Sequence, residues 1–147
     1  MELVVWLAVV LIILGGGMGW MVWAYRRPAG HLVVFATPIG ALSSPMADAA
    51  RKRFEGGAEA FQGGRFAQAI DQFSQVIETE PGCAEAFHNC GLAYANLGND
   101  GLAVRALVKA SEYYDQQGTK AGVDLVKQHL EQLAEQRRRL KLAQSVT

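Results

Sequence analysis

The chain has 147 residues, with 14 Lys+Arg against 14 Asp+Glu and hydrophobic residues at 50%. That length holds one modest domain plus an accessory segment and excludes two large domains, while the hydrophobic share excludes a disordered chain. A formal net charge of +0 leaves no field for bulk nucleic-acid binding, which needs clustered basic charge, and two cysteines, Cys83 and Cys90, exclude a disulfide scaffold.

The first predicted element is a transmembrane helix over 3–25. Leu3 to Ala24 carries no charged residue, and a helix of that length spans about 33 Å, slightly more than the hydrocarbon core of a bilayer. A cleaved signal peptide competes with this reading, but it requires a positive start and a small-x-small site, whereas here Glu2 precedes the run and Arg26 and Arg27 follow it. Trp6 stands near one end and Trp20, Trp23 and Tyr25 at the other, where amphipathic rings settle at headgroup level. Arg26, Arg27, Arg51, Lys52 and Arg53 all follow the span, so the positive-inside rule puts the C-terminal domain in the cytoplasm, or the stroma of a plastid. A bacterial inner membrane or a thylakoid membrane fits this layout. Gly15 and Gly19 form a G-x-x-x-G pair, the expected contact if the span packs on another membrane helix.

Residues 26–45 read as a linker. Pro28, Gly30, Pro38, Gly40 and Pro45 break regular structure, yet Leu32-Val33-Val34-Phe35 and Ile39, Ala41, Leu42 are as apolar as a core. Such a strip either lies on the lipid surface or packs into a groove of its own domain, and the residues alone leave both open.

Helical patterning follows. Ser44-Pro45 predicts an N-cap with proline at the first helical position, supported by Asp48. A period of 34 then pairs Ala50 with Ala84, Gly57 with Gly91, Gly64 with Gly98, Ala69 with Ala103, Phe73 with Leu107 and Val76 with Ala110. Each unit is a pair of helices: 46–62 and 66–80 around a Gly63-Gly64 turn, then 83–97 and 100–116 around Gly98-Asn99. Phe87-x-x-Cys90-Gly91-x-x-Tyr94 with Ala103-x-x-x-Leu107, and Ala69-x-x-x-Phe73 with Pro81, resemble the tetratricopeptide repeat, whose signature is W-x-x-L-G-x-x-Y, A-x-x-x-F and P. Small residues mark where helices cross and large ones fill between them. Arg53, Gly56 and Asp115 depart from the pattern. The two units cover 50–83 and 84–117, within a 46–117 domain.

Residues 118–142 repeat no third unit. Val123, Val126, Leu130, Leu133 and Leu140 form one apolar stripe on a charged helix from about 119, with Thr119 as N-cap. This is the expected capping helix of a solenoid, and 143–147 is a tail. The predicted fold is all-α: a transmembrane helix, an α-solenoid of two helix pairs and a cap. Arg137, Arg138, Arg139 and Lys141 suit the C-terminal end of that helix; anionic lipid headgroups are the other contact open to them.

No H-E-x-x-H, C-x-x-C, P-loop or G-x-S-x-G motif occurs, and His31, His88 and His129 are scattered. No catalytic residue, metal or cofactor is expected, and Cys90 reads as a packing residue.

The resemblance implies protein binding on a concave face built by the first helix of each unit. That face would carry Arg51, Phe54, Glu55, Ala58 and Phe61 in the first unit and Glu85, His88, Asn89, Leu92 and Asn96 in the second. Chaperone-binding relatives clamp a terminal carboxylate there with lysines, an arginine and asparagines. Asn89 alone suits that pattern, while Phe54, Ala58, Thr119 and Val123 stand where the other groups would be, so a different ligand is expected. The implied function is a membrane-anchored scaffold or assembly factor that binds subunits of a membrane complex, as in small anchored repeat proteins of bacterial and photosynthetic membranes. A permanent accessory subunit held by its membrane helix is the alternative, and self-association fits either.

Overall fold

The computed structural model describes residues 33–40 and 45–145. The predicted span 3–25, with Gly15 and Gly19, lies outside the described residues, as do Ser44 and the last two residues of the tail. Among the described residues no helix is long and apolar enough to cross a membrane.

Five helices and no strand make up the described part: α1 (Asp48–Gln62), α2 (Phe66–Thr79), α3 (Ala84–Asn96), α4 (Asp100–Gln116) and α5 (Lys120–Ser145). Each packs chiefly on its neighbours in the chain, α1 on α2, α2 on α3, α3 on α4 and α4 on α5. That arrangement of successive antiparallel neighbours is an α-solenoid.

The 34-residue period is visible as a repeated contact. A Cβ on Gly57 would stand 2.8 Å from Cε1 of Phe73, and one on Gly91 would stand 2.6 Å from Cγ of Leu107. In each unit the first helix gives up its side chain so that the large residue of the second can lie against its backbone. Phe73, Leu107, Ala69 and Ala103 are fully buried as a result.

The turns repeat as well. Gly64 and Gly98 have φ of +70° and +79°, the left-handed region that a Cβ disfavours. Beside them Arg65 N–H donates to Ala60 O (2.8 Å) and Asn99 N–H to Tyr94 O (2.9 Å), closing α1 and α3 with the six-to-one bond of a Schellman motif. The same closure ends α4, where Thr119 N–H donates to Tyr114 O at 2.8 Å.

Two expectations need correction. Helix α1 begins at Asp48, and its N-cap is Ala47 with an extended backbone and no side-chain cap bond; Pro45 lies before the helix. The amide of Ala47 instead donates to Oε1 of Glu80 (3.4 Å), so the start of α1 is tied to the end of α2 rather than to a local cap. The stripe on α5 also ends early. Val126 and Leu133 are buried, whereas Leu140 is 37% exposed, and α5 runs on to Ser145. Arg137 takes the next position of the stripe: its guanidinium reaches Oδ1 of Asp100 (2.7 Å) and the carbonyl of Ala95 (3.1 Å). The cap thus finishes by gripping the α3–α4 corner with an ion pair, and Leu140 lies beyond it. Arg138 and Arg139 both bond Glu135 on their own helix.

Candidate functional site

Helix α3 builds the site. Glu85, Asn89, Leu92 and Asn96 follow one another at spacings of four, three and four, which places them on one face. All four are buried, with His88 beside them. A buried primary amide must find partners for both its oxygen and its nitrogen, and here the partners come from the linker.

Residues 33–40 run along α3. Oδ1 of Asn96 accepts from the amides of Val34 (2.8 Å) and Phe35 (2.9 Å), while its Nδ2 donates to the carbonyl of Phe35 (2.8 Å). Two helical turns earlier, Oδ1 of Asn89 accepts from the amide of Ile39 (2.7 Å) and its Nδ2 donates to the carbonyl of the same residue (2.9 Å). Each asparagine therefore meets one peptide residue with an acceptor and a donor side by side. Reversing either amide would oppose like to like, so the network settles both orientations. The two asparagines are about 10 Å apart along the helix. Phe35 and Ile39 would be about 13 Å apart in a fully extended chain, and the bend at Thr37 between them takes up the difference.

Side chains seat the segment. Phe35 is 5% exposed and its ring meets that of His129 edge-on, centroids 4.9 Å apart. Val34 and Ile39 are half-buried against the core. Ala36, Thr37 and Gly40 face solvent. Of the two placements open for the linker, its described part therefore takes the groove of its own domain.

His129 closes the site from α5. Its Nδ1 lies 2.8 Å from Nε2 of His88, and Nδ1 of His88 is buried without a hydrogen-bond partner. A buried N–H left unpaired costs more than a bare lone pair, so His88 carries its proton on Nε2 and donates it to His129. Burial, reinforced by His129, pushes His88 down to about 3, and burial also lowers His129. Both rings are therefore neutral at physiological pH. Burial likewise raises the Cys83 and Cys90 thiols to about 11 and about 12, and both are free and buried.

The ten predicted groove residues divide by helix. On α3, Glu85, His88, Asn89, Leu92 and Asn96 are all buried; Asn89 and Asn96 hold the segment, His88 meets His129, and the Cys83 thiol lies 3.9 Å from Oε2 of Glu85. On α1 the set separates. Phe54 and Phe61 turn into the α1–α2 interface, edge-on to Phe73 and Phe66; Arg51 and Glu55 are exposed and Ala58 is half-buried. In the sequence His129 stands among scattered histidines; the signal that could have found it is its place in the stripe of α5, three residues after Val126 and directly before Leu130. The site is open at one end: an approximately 960 Å³ trough runs from Val33 and Val34 along α5 past Glu131, Glu135 and Leu140.

Residues 57–98, from the middle of α1 through the turn after α3, match the family model of the TPR repeat. That match supports the tetratricopeptide-repeat resemblance for the part of the chain that holds Asn89 and Asn96, and the protein–protein interaction role such repeats generally have. No curated protein and no solved structure matches the chain.

Proposed function

We propose that the protein is a membrane-anchored peptide-binding module that helps assemble or stabilise a membrane protein complex, with its repeat domain on the cytoplasmic or stromal side. The single observation that carries this reading is the pair of buried asparagines on α3, each bonded through both amide atoms to the main chain of an extended segment. Main-chain recognition of this kind holds a peptide in extended form, while pockets for individual side chains give selectivity. The uncharged run Leu3–Ala24 supports the anchor. Confinement at the bilayer would raise the module's effective concentration towards other membrane proteins without any added contact.

The test is a mild-detergent pull-down of the full chain from its native membranes. It is run beside Asn96→Ala and beside a chain whose residues 3–25 are replaced by an unrelated apolar span. The reading expects partners to be lost from Asn96→Ala and kept by the exchanged span. Partners lost only with the original span, in stoichiometric amounts, would instead make the protein an accessory subunit held by its membrane helix.

A further inference from the structure

We infer that residues 33–40 are an internal ligand of the groove, and that the partner is an extended, uncharged segment of another polypeptide which displaces them. Such a segment carries an aromatic residue and, four positions later, an aliphatic one. The inference rests on the proposed peptide-binding reading and adds the class of partner and the competition it must win.

The segment itself defines what the groove accepts. All five hydrogen bonds from Asn96 and Asn89 go to main-chain atoms, so any polypeptide in the same extended form satisfies them. Selectivity falls to the seated side chains, chiefly the buried ring of Phe35 against His129 and, beside it, the half-buried Val34 and Ile39. Between and after them Ala36, Thr37 and Gly40 face solvent, so a competing segment is free to differ there. No residue of 33–40 is charged, and the side chains that hydrogen-bond its backbone or stack on Phe35 are the amides of Asn89 and Asn96 and the imidazole of His129. A charged residue in place of Phe35, which is 5% exposed, would lose its hydration on entering the groove.

Competition follows from the tether. Gly40 and Pro45 are joined by residues 41–44, and so short a connection holds the segment at an effective concentration of about millimolar. A free peptide of similar intrinsic affinity sees only the fraction of domains whose groove is open, and its apparent affinity falls by that fraction. Weakening the internal copy therefore tightens binding of the external one.

The experiment uses the full chain in detergent micelles and a fluorescent synthetic peptide with the sequence of residues 33–40, read by anisotropy. Phe35→Ala is expected to bind the peptide at least about tenfold more tightly than the wild-type chain. Adding Asn96→Ala should abolish that binding, and a peptide with alanine in place of its phenylalanine should bind neither protein. A Phe35→Ala chain that melts cooperatively yet binds no tighter than wild type would overturn the inference: the segment would then be a permanent plug. If Phe35→Ala does not fold, hydrogen exchange of the wild-type chain decides. Exchange of the Val34, Phe35 and Ile39 amides through local opening supports displacement, and exchange only on global unfolding overturns it. Dimerisation of the wild-type chain that Phe35→Ala abolishes would put a second copy in the partner's place and overturn the foreign segment. The two readings fail separately: partner capture that survives Asn96→Ala refutes the groove as the binding surface, whereas a plug that never opens refutes only competition.

Discussion

Replacing glycine by alanine at Gly91 and at Gly101 should move stability in opposite directions. In a helix interior alanine is favoured over glycine by about 1 kcal/mol, so propensity alone raises stability at both sites. At Gly91 the new Cβ would stand 2.6 Å from Cγ and 2.9 Å from Cδ2 of Leu107, and 3.2 Å from the carbonyl oxygen of Ala103. Leu107 is fully buried and has nowhere to swing, and a backbone oxygen moves only with its helix. Overpacking of this kind costs about 1–3 kcal/mol, and the close approach puts Gly91 towards the upper end, for a net loss of about 1–2 kcal/mol after the propensity gain. At Gly101 nothing lies within 4 Å of the added atom. Because it sits in the first turn of α4, the gain there is about 0.5 kcal/mol. Thermal unfolding of the full chain followed by far-ultraviolet circular dichroism should place the Tm of Gly91→Ala about 4–10 °C below wild type, and that of Gly101→Ala about 2 °C above it. A Gly91→Ala chain that melts at or above wild type would refute the α3–α4 close approach, and with it the account of why the glycine recurs after 34 residues.

Three further outcomes are expected. Asn96→Ala removes three hydrogen bonds to residues 33–40 and Asn89→Ala removes two, so hydrogen exchange at Val34 and Phe35 should accelerate more in the first variant than exchange at Ile39 does in the second; equal or no acceleration would show that side-chain packing alone holds the segment. Stability should fall on acidification through the histidine pair. In the unfolded chain both rings take a proton as pH falls through about 6.5, whereas folded His88 stays neutral down to about 3. Its contribution is therefore complete above about pH 6.5 and is lost by about 1.4 kcal/mol per pH unit below it. Denaturant titrations should show this slope shrink in His88→Asn, and an unchanged slope would assign it to other groups. Finally, Cys83 and Cys90 are buried with thiols raised to about 11 and about 12, so a thiol reagent at neutral pH should label both only at the rate of unfolding. Rapid labelling of either in the folded chain would contradict their packing.

The resemblance carried by Phe87, Cys90, Gly91 and Tyr94 was legible because repeat packing is local and periodic. A glycine that lets a helix approach and the large residue that fills the gap recur at fixed spacing, and no distant contact is needed to read them. The N-cap of α1 was not legible, because the amide of Ala47 is satisfied by Glu80 at the far end of the following helix. Leu140 matched the stripe of α5, but a stripe gives only a direction on one helix and not where the surface it covers stops; Arg137 marks that stop through Asp100 and Ala95.

By itself the sequence determined the helix pairs, their glycine turns, the apolar faces and the candidate asparagines on α3, since all of these follow from periodicity, backbone conformation and side-chain type over a few turns. Only the tertiary structure decided that Phe54 and Phe61 belong to a helix interface while Asn89 and Asn96 hold residues 33–40. The first depends on how α1 meets α2, and the second on surfaces that meet across some 50 to 60 residues of chain. Side-chain type says that Phe35 seeks cover and that Asn96 seeks partners, but only the packed fold brings the two within 3 Å of each other.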